Sequence, residues 1–351
     1  MAGLAVTCRR VVHIYRAEAG DVVALAGVDL TIAPGEMVAF VGPSGSGKST
    51  LIALLAGLMR PSAGRVNIGT YDIGKLSDAE ISRLRGTEIG VVLQGAARNL
   101  LPYASLARNI WLAQTRAAGT RGVHLDHPER ILDLVGLGGR GEATLDQLAP
   151  GARQRAALAV GIAAGPGLLL VDEPTSQLDT AGRDEVVQAL ETVNAERGTT
   201  IVVVTHDAEV GERLGRAVTI RDGRVGAEGR GGQDFAVVAG DGTVQLPPDV
   251  LGDYPPGTLF VVDRLDGSVT LVPNGDPTQH LETDRSRSSS LGGSNHPPSR
   301  SPVIPRAHRG PCLVPRILPD RVRVVGEARG SRESGHIGPR CKEGSLVNTH
   351  R

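Results

Sequence analysis

The chain has 351 residues, enough for one large domain and a smaller one. Its 38 basic and 38 acidic residues balance, and 40% of its residues are hydrophobic, which favours a soluble globular core without an overall bias toward nucleic acid. No apolar stretch reaches the roughly 18 residues needed to cross a bilayer. The N-terminus has no signal-peptide core and the three cysteines show no metal or disulfide spacing, so we expect a cytoplasmic protein.

The first two-thirds of the chain predict an α/β fold. Residues 1–35 alternate apolar and polar side chains, as antiparallel strands do, and MVAFV at 37–41 predicts a short buried strand before a glycine-rich turn. The segment 49–58 has helical apolar spacing. Further buried strands are predicted at 89–93, 167–171 and 200–204, and helices between 95 and 165 and over 184–198. Buried strands that alternate with helices predict a mostly parallel sheet covered on both faces.

The sequence changes character near Glu228. Short alternating strands between Asp234 and Pro273 predict a small β module. From Pro277 onward there is no periodicity, serine and proline are frequent, and basic residues exceed acidic ones, so the segment is predicted to be disordered. Contact of this tail with RNA or anionic lipid, and a read-through or frame-shifted gene end, are the alternatives. The predicted division is 1–228, 229–275 and 276–351.

The stretch GPSGSGKS fits the phosphate-loop pattern G-x-x-x-x-G-K-[ST]. Glycines let the backbone N–H groups converge on phosphate oxygens, and the helix that follows adds the positive end of its dipole. The pattern predicts that Lys48 reaches the β- and γ-phosphates and that the Ser49 hydroxyl ligates Mg²⁺. The residues predicted to bind nucleotide here are Gly42, Pro43, Ser44, Gly45, Ser46, Gly47, Lys48, Ser49 and Thr50.

Two adjacent acids follow the apolar strand GLLLV. A carboxylate at the end of a buried strand is costly unless it holds a cation. We therefore expect Asp172 to hold Mg²⁺ through water and Glu173 to polarise the attacking water. Gln94 and His206 each end another predicted strand. Alone they would more often be structural, but their order relative to the two phosphate motifs favours a functional role.

These motifs together resemble the ATPase subunit of an ABC transporter over about residues 4–228. The resemblance implies the ABC cassette form of the phosphate-loop NTPase fold, with a mixed sheet core and antiparallel β and helical subdomains. It implies ATP and Mg²⁺ as cofactors. The implied catalytic residues are Glu173, Gln94 and His206, the last of which contacts the γ-phosphate. The implied metal ligands are Ser49, Gln94 and Asp172. Tyr15 would stack on adenine, although a core tyrosine is the alternative.

The resemblance also implies that two cassettes, identical or different, clamp two ATP molecules. Gly151, in the signature segment, and Asp179, in the stretch SQLD (176–179), would then contact nucleotide. The family's signature is LSGGQ, but this chain has LAPGA at 148–152, with Ala149, Pro150 and Ala152 at changed positions. Two arrangements are compatible with this change. Either a sister cassette with an intact signature completes the site on this chain's own phosphate loop and only the site built from LAPGA is slow, or the chain forms a homodimer with two slow sites.

Three stretches narrow the resemblance to exporter cassettes of the lipoprotein-release, macrolide-efflux and cell-division types. They are LSDAEISRLRGTEIGVVLQ at 76–94, NLLP at 99–102 and EPTSQLD at 173–179. The resemblance implies a separate membrane permease that contacts residues 95–112 and holds the protein on the inner face of the membrane. NLLP as an ordinary loop is the alternative for that stretch. A soluble ABC ATPase and a nucleotide-dependent regulator are the rival functions, and no nucleic acid partner is expected.

The small β module has a resemblance of its own. The stretches DGTVQLPPDVL and PPGTLFVV resemble an AbrB-like swapped hairpin, which usually pairs between chains. DNA binding by such a module needs a basic face, and acidic residues predominate here, so the resemblance favours a dimerisation or regulatory role.

Overall fold

A computed structural model describes residues 3–16, 20–121, 125–230, 233–238, 242–244, 254, 258–265, 268–273 and 322–325. The chain divides into two units, Met1–Leu251 and Gly252–Arg351. None of the helices within the described ranges combines the length and hydrophobicity of a membrane span.

The strands of the first unit are β1 (Val6–Tyr15), β2 (Val22–Ile32), β3 (Met37–Val41), β4 (Ala63–Ile68), β5 (Tyr71–Asp72), β6 (Ile89–Val92), β7 (Leu168–Asp172), β8 (Thr200–Val204), β9 (Arg216–Arg221), β10 (Arg224–Arg230) and β11 (Gln233–Ala236). Its helices are α1 (Lys48–Leu55), α2 (Asp78–Thr87), α3 (Leu106–Arg121), α4 (Pro128–Leu134), α5 (Pro150–Ile162), α6 (Thr180–Arg197) and α7 (Ala208–Arg213), with short 3-10 helices at Ala96–Arg98 and Leu145–Gln147.

A seven-stranded sheet in the order β11-β10-β9-β3-β8-β7-β6 forms the centre of the first unit. Strands β9, β3, β8, β7 and β6 are parallel, and β10 and β11 extend the sheet in antiparallel fashion. Alternate residues of β7 and β8 belong to two separate hydrophobic clusters, one with helices α5 and α6 and the other with helix α1. The sheet is thus covered on both faces, which confirms the predicted α/β architecture.

A second sheet of four strands, in the order β2-β1-β4-β5, is antiparallel throughout. The inward side chains of this sheet belong to the same hydrophobic cluster as the buried side chains of α1. The pairing of β1 with both neighbours is interrupted at Arg10, which has a left-handed φ of 47°. A bulge of this kind bends a strand and changes the direction of its side chains.

The C-terminal part differs in detail from the predicted arrangement. Strand β11, which the sequence assigns to the small module, pairs with β10 at the edge of the seven-stranded sheet. The second unit contains β12 (Phe260–Leu265), β13 (Ser268–Pro273) and β14 (Val322–Val325) in one antiparallel sheet. Strand β14 lies inside the segment 276–351 that the sequence predicts to be disordered.

The division at residues 228 and 275 stays a prediction, and so does the AbrB-like resemblance. Much of DGTVQLPPDVL lies outside the described residues. In this part of the chain the described residues form one isolated antiparallel bridge, between Val238 and Val244. Strands β12 and β13 pair with each other within the chain.

Candidate nucleotide-binding site

The glycine-rich loop between β3 and α1 depends on glycine at both of its ends. Gly42 and Gly47 have φ of 147° and 103°, a region that side chains with a Cβ rarely adopt. A Cβ on Gly42 would lie 2.1 Å from the carbonyl oxygen of Ile220, and one on Gly47 would lie 2.5 Å from that of Ala24. The loop therefore packs directly on neighbouring backbone, and helix α1 begins immediately after it, at Lys48.

Lys48 is buried inside the loop, with 7% of the residue exposed. Its ammonium donates hydrogen bonds of 2.7 Å to the carbonyl oxygens of Gly42 and Pro43. Burial lowers the pKa of Lys48, while the nearby carboxylates of Glu173 and Asp172 raise it. The cation is therefore partly desolvated and would gain from a neighbouring anion.

Asp172 and Glu173 stand at the carboxyl end of β7, beside that cation. Burial raises the pKa of Asp172 and Glu173 raises it further, while Lys48 and Arg98 lower it. Glu173 has a left-handed φ of 47°, which is uncommon for a residue with a side chain. The hydroxyl of Ser176 donates to the Glu173 carbonyl oxygen over 3.0 Å and holds this turn.

Glu173 follows β7 and His206 follows β8. Because these two strands are parallel neighbours, both residues emerge at the same edge of the sheet. The Nδ1 atom of His206 lies 2.9 Å from Oε2 of Glu173. The Glu173 side chain is 15% exposed and the His206 side chain 71% exposed. The ring thus covers the carboxylate from the solvent side and fixes its orientation.

One cavity of about 570 Å³ collects most of the predicted residues. Those that line it are Tyr15, Ser44, Gly45, Gly47, Lys48, Ser49, Thr50, Gln94, Asp172, Glu173 and His206. Gly42, Pro43 and Ser46 belong to the loop without lining this cavity. The Tyr15 hydroxyl lies 3.2 Å from the Thr50 hydroxyl oxygen, which fixes the phenol at the rim.

The cavity also has an apolar wall that the sequence motifs do not indicate. Val22 and Val23 line it and are more than half exposed, at 59% and 55%. Two adjacent apolar residues interrupt strict strand alternation at the start of β2. That interruption is the signal in the sequence that could have identified them, because one of the two must face solvent or a ligand.

The oxygen donors of the cavity suit a hard divalent cation. The Ser49 hydroxyl, the Gln94 amide and the Asp172 carboxylate all belong to its lining. Mg²⁺ prefers oxygen ligands and commonly takes only one or two carboxylates together with phosphate oxygens and water. A partly desolvated Asp172 with a raised pKa is the kind of carboxylate that a cation stabilises.

Gly151 and Asp179 do not line the first cavity; they line a separate one of about 580 Å³. The carboxylate of Asp179 accepts a hydrogen bond of 2.9 Å from the Gly182 N–H and caps α6. A Cβ on Gly151 would lie 3.1 Å from the Cα of Gly182. The first turns of α5 and α6 therefore meet at this second cavity.

The signature segment lacks two of its expected polar groups. Ala149 occupies the N-cap of α5 without a capping hydrogen bond, and Pro150 is the first helical residue. Proline suits that position, but it removes an N–H, and alanine supplies no oxygen. Arg155 of α5 forms an ion pair with Glu185 of α6 at 3.0 Å, which holds the two helices together.

Comparison with known families agrees with this geometry. The family model described as "ABC transporter" matches residues 25–176. The lipoprotein-releasing system ATP-binding protein LolD of Anaeromyxobacter dehalogenans is 42% identical over 214 residues, covering 60% of this chain and 89% of that protein. The macrolide export ATP-binding/permease protein MacB of Rhodopirellula baltica is 40% identical over 218 residues, covering 62% of this chain but about a third, 32%, of that protein.

A solved structure has the same fold. The ATP-binding cassette MJ0796, described as a dimer in a post-hydrolysis state bound to ADP and Pi, aligns with a TM-score of 0.57 and 31% sequence identity. The alignment covers 64% of this chain and 98% of the cassette. The phosphate loop, the acidic pair after β7 and these similarities agree, and the chain belongs to the ABC transporter family as an ATPase with the ABC cassette fold.

Proposed function

We propose that this chain is the ATP-hydrolysing subunit of an exporter and works on the inner face of the membrane through a separate permease. One observation carries the proposal: the phosphate loop, the acidic pair, Gln94 and His206 converge on one cavity. The names of the relatives, a lipoprotein-releasing system and a macrolide exporter, support export as the process that this ATPase energises.

Each residue of the cavity has a proposed task. The N–H groups of the loop and the Lys48 ammonium bind the phosphates, and Tyr15 stacks on the adenine. Glu173 accepts a hydrogen bond from the attacking water and takes its proton, while His206 orients that carboxylate over 2.9 Å. Ser49, Gln94 and Asp172 would hold Mg²⁺, which neutralises phosphate charge when bound.

A second cassette completes the machinery in this proposal. Gly151 and Asp179 line a cavity that contains no residue of the phosphate loop, so they are available to a nucleotide held by another chain. The dimeric form of the cassette MJ0796 supports such a pair. Because Ala149 and Pro150 weaken the signature segment, we favour a sister cassette with an intact segment over a homodimer.

The permease contact is proposed on the region that follows Gln94. Four large apolar side chains are exposed there, although such groups are ordinarily buried: Leu101, Tyr103, Trp111 and Leu112. The guanidinium of Arg108 stacks 4.0 Å above the Trp111 ring, which keeps that ring in place. This apolar surface suits a helix of a partner protein.

The permease is tested by co-purification from detergent-solubilised membranes of cells that express the full chain. Tyr103→Asp should remove a membrane protein that wild type retains, because Tyr103 is 80% exposed within that surface. Tyr71→Asp is the matched control, since Tyr71 is also exposed, at 42%, but lies on β5. Retention of a multi-span protein by wild type and control alone supports the proposal.

The rival functions predict different outcomes in this co-purification and in a measurement of ATP hydrolysis. A soluble ABC ATPase would co-purify with no membrane protein, and Tyr103→Asp would change nothing. A nucleotide-dependent regulator would bind ATP without turnover, and Glu173→Gln would then leave its behaviour unaltered. In the proposed function, Glu173→Gln retains ATP binding, loses hydrolysis and accumulates a closed pair of cassettes, which size-exclusion chromatography detects.

A further inference from the structure

A third cavity lies away from the nucleotide site, within the first unit. Its volume is about 1040 Å³, and it lies between strands β1, β2 and β4 of the antiparallel sheet and strands β9 and β10 of the central sheet. Five arginines line it: Arg9, Arg10, Arg65, Arg216 and Arg230. It shares no lining residue with the nucleotide cavity. We propose that this cavity binds an anion that bears phosphate groups.

Two of these arginines are placed against each other without an evident structural benefit. Arg9 and Arg65 are direct Cα partners in the antiparallel pairing of β1 with β4. Like charges directly opposite on neighbouring strands destabilise a sheet. An anion between the two guanidinium groups would convert this repulsion into attraction.

The bulge in β1 brings a third arginine, Arg10, into the lining of the same cavity. Arg10 has a φ of 47°, and its backbone carbonyl approaches Gly64 so closely that a Cβ there would lie 2.2 Å from the oxygen. The N–H of Arg10 donates to the carboxylate of Asp29 over 2.8 Å. The bulge is therefore held by specific contacts, and two consecutive arginines line the cavity instead of one.

Two carboxylates, Asp29 and Glu228, line the cavity with the five arginines. Asp29 accepts the backbone N–H of Arg10 at 2.8 Å and forms no ion pair with an arginine side chain among the described residues. Burial would raise the pKa of Glu228, but hydrogen bonds from Arg216 and Arg230 hold it below its ordinary value, so it is ionised and already paired. Arg216 also pairs with Glu36 at 3.0 Å. Among the residues that the structure describes, no carboxylate forms an ion pair with Arg9, Arg10 or Arg65.

The chemistry of the site indicates its ligand. Guanidinium groups match the tetrahedral oxygens of phosphate with paired N–H donors, and several of them together favour a multiply charged anion. A cavity of about 1040 Å³ exceeds the size of a bare phosphate and suits a phosphate ester. A soluble phosphate compound and a phospholipid headgroup share this chemistry, and the experiment distinguishes them. The inference does not depend on the proposed export function.

The experiment compares the full chain with Arg9→Ala/Arg65→Ala and with Arg85→Ala, an exposed arginine on α2 outside this cavity. With the nucleotide cavity saturated with MgADP, isothermal titration with inorganic pyrophosphate should show a site in wild type and in Arg85→Ala. The double variant should bind the probe at least about tenfold more weakly. Sedimentation with phosphatidylglycerol vesicles, against phosphatidylcholine vesicles, forms the second arm. Unchanged ATP binding verifies that each variant is folded.

The outcomes separate cleanly. Loss of pyrophosphate binding in the double variant alone supports a soluble phosphate ligand. Loss of phosphatidylglycerol binding in the double variant alone supports a lipid headgroup. If the double variant does not bind ATP, Arg65→Gln replaces it, because a single neutral side chain of similar length leaves the bulge intact. Equal binding of both probes by wild type and by the folded arginine variant overturns the proposal.

Discussion

At the scale of single residues, the nucleotide site contains two ionisable groups whose charged forms are disfavoured by burial. Lys48 and Asp172 are each pushed toward their neutral forms by burial, and each is partly stabilised by the other's charge. A phosphate and a divalent cation would satisfy both groups at once. Burial of these two charges carries a cost that binding of the two ligands would remove, a trade-off common where function and stability compete.

Lys48→Ala should weaken MgATP binding by about tenfold to a hundredfold. A hydrogen bond to a charged group contributes about 1.5–3 kcal/mol, and each 1.4 kcal/mol is about tenfold in affinity. Part of the loss comes from the loop itself, because the ammonium holds the carbonyls of Gly42 and Pro43. Isothermal titration measures the affinity. The control is Lys75→Ala, a lysine whose side chain is 72% exposed, and equal losses in both variants would contradict the assignment.

Asp172→Asn should stabilise the nucleotide-free protein and weaken the dependence of ATP binding on Mg²⁺. Because the pKa of Asp172 is raised in the folded chain, folding takes up a proton between the ordinary and the raised pKa, so stability falls as pH rises through that window. The amide removes this loss. We expect the midpoint of thermal unfolding to rise at neutral pH, with the difference from wild type vanishing below the ordinary pKa. A lower midpoint at neutral pH would show that the ionised carboxylate stabilises the fold.

At the scale of helices and strands, the sequence predicted the strands that are continuous apolar runs and missed two strands of mixed composition. Strands β3, β7 and β8 are continuous apolar runs because the sheet is covered on both faces. Strands β9 and β10 were not predicted, since charged residues and glycines interrupt their pattern and pairing with neighbours decides their structure. Helix α6 begins at Thr180 rather than at 184, because Asp179 caps it.

The first turn of α5 offers a test of the weakened signature segment. The triple repair Ala149→Ser, Pro150→Gly and Ala152→Gln restores a hydroxyl and an N–H at the N-terminus of this helix. Two such contacts to a phosphate lower the barrier to hydrolysis, so we expect the purified chain, slow before the repair, to hydrolyse ATP about tenfold faster. The repair combined with Glu173→Gln is the control and should abolish the gain. Vigorous hydrolysis by the unaltered chain, unchanged by the repair, would show that the segment is not weakened.

At the scale of the whole molecule, the predicted nucleotide-binding residues lie at two separate places on the chain. The phosphate loop and the acidic pair line one cavity, and Gly151 and Asp179 line another. The sequence identified both sets as candidates, because each motif is local and has a recognisable spacing. It could not predict which sets meet, since that depends on the order of strands in the sheet and, in our proposal, on a second chain. The wall formed by Val22 and Val23 was missed for a similar reason: its function depends on what faces it.

The division of the chain leads to the last prediction. Every residue that lines the nucleotide cavity lies within the unit Met1–Leu251, so a chain that ends at Leu251 should bind MgATP with a dissociation constant within about threefold of the full chain.

A second truncation, after Asp276, tests the predicted tail separately. It removes few apolar groups from any core, so the midpoint of thermal unfolding should not change. It also removes β14, which pairs with β13 in the second unit. A drop of several degrees after Asp276 with unchanged ATP affinity would show that the tail stabilises only that sheet. A loss of ATP affinity in either truncation would show instead that the C-terminal unit supports the nucleotide site.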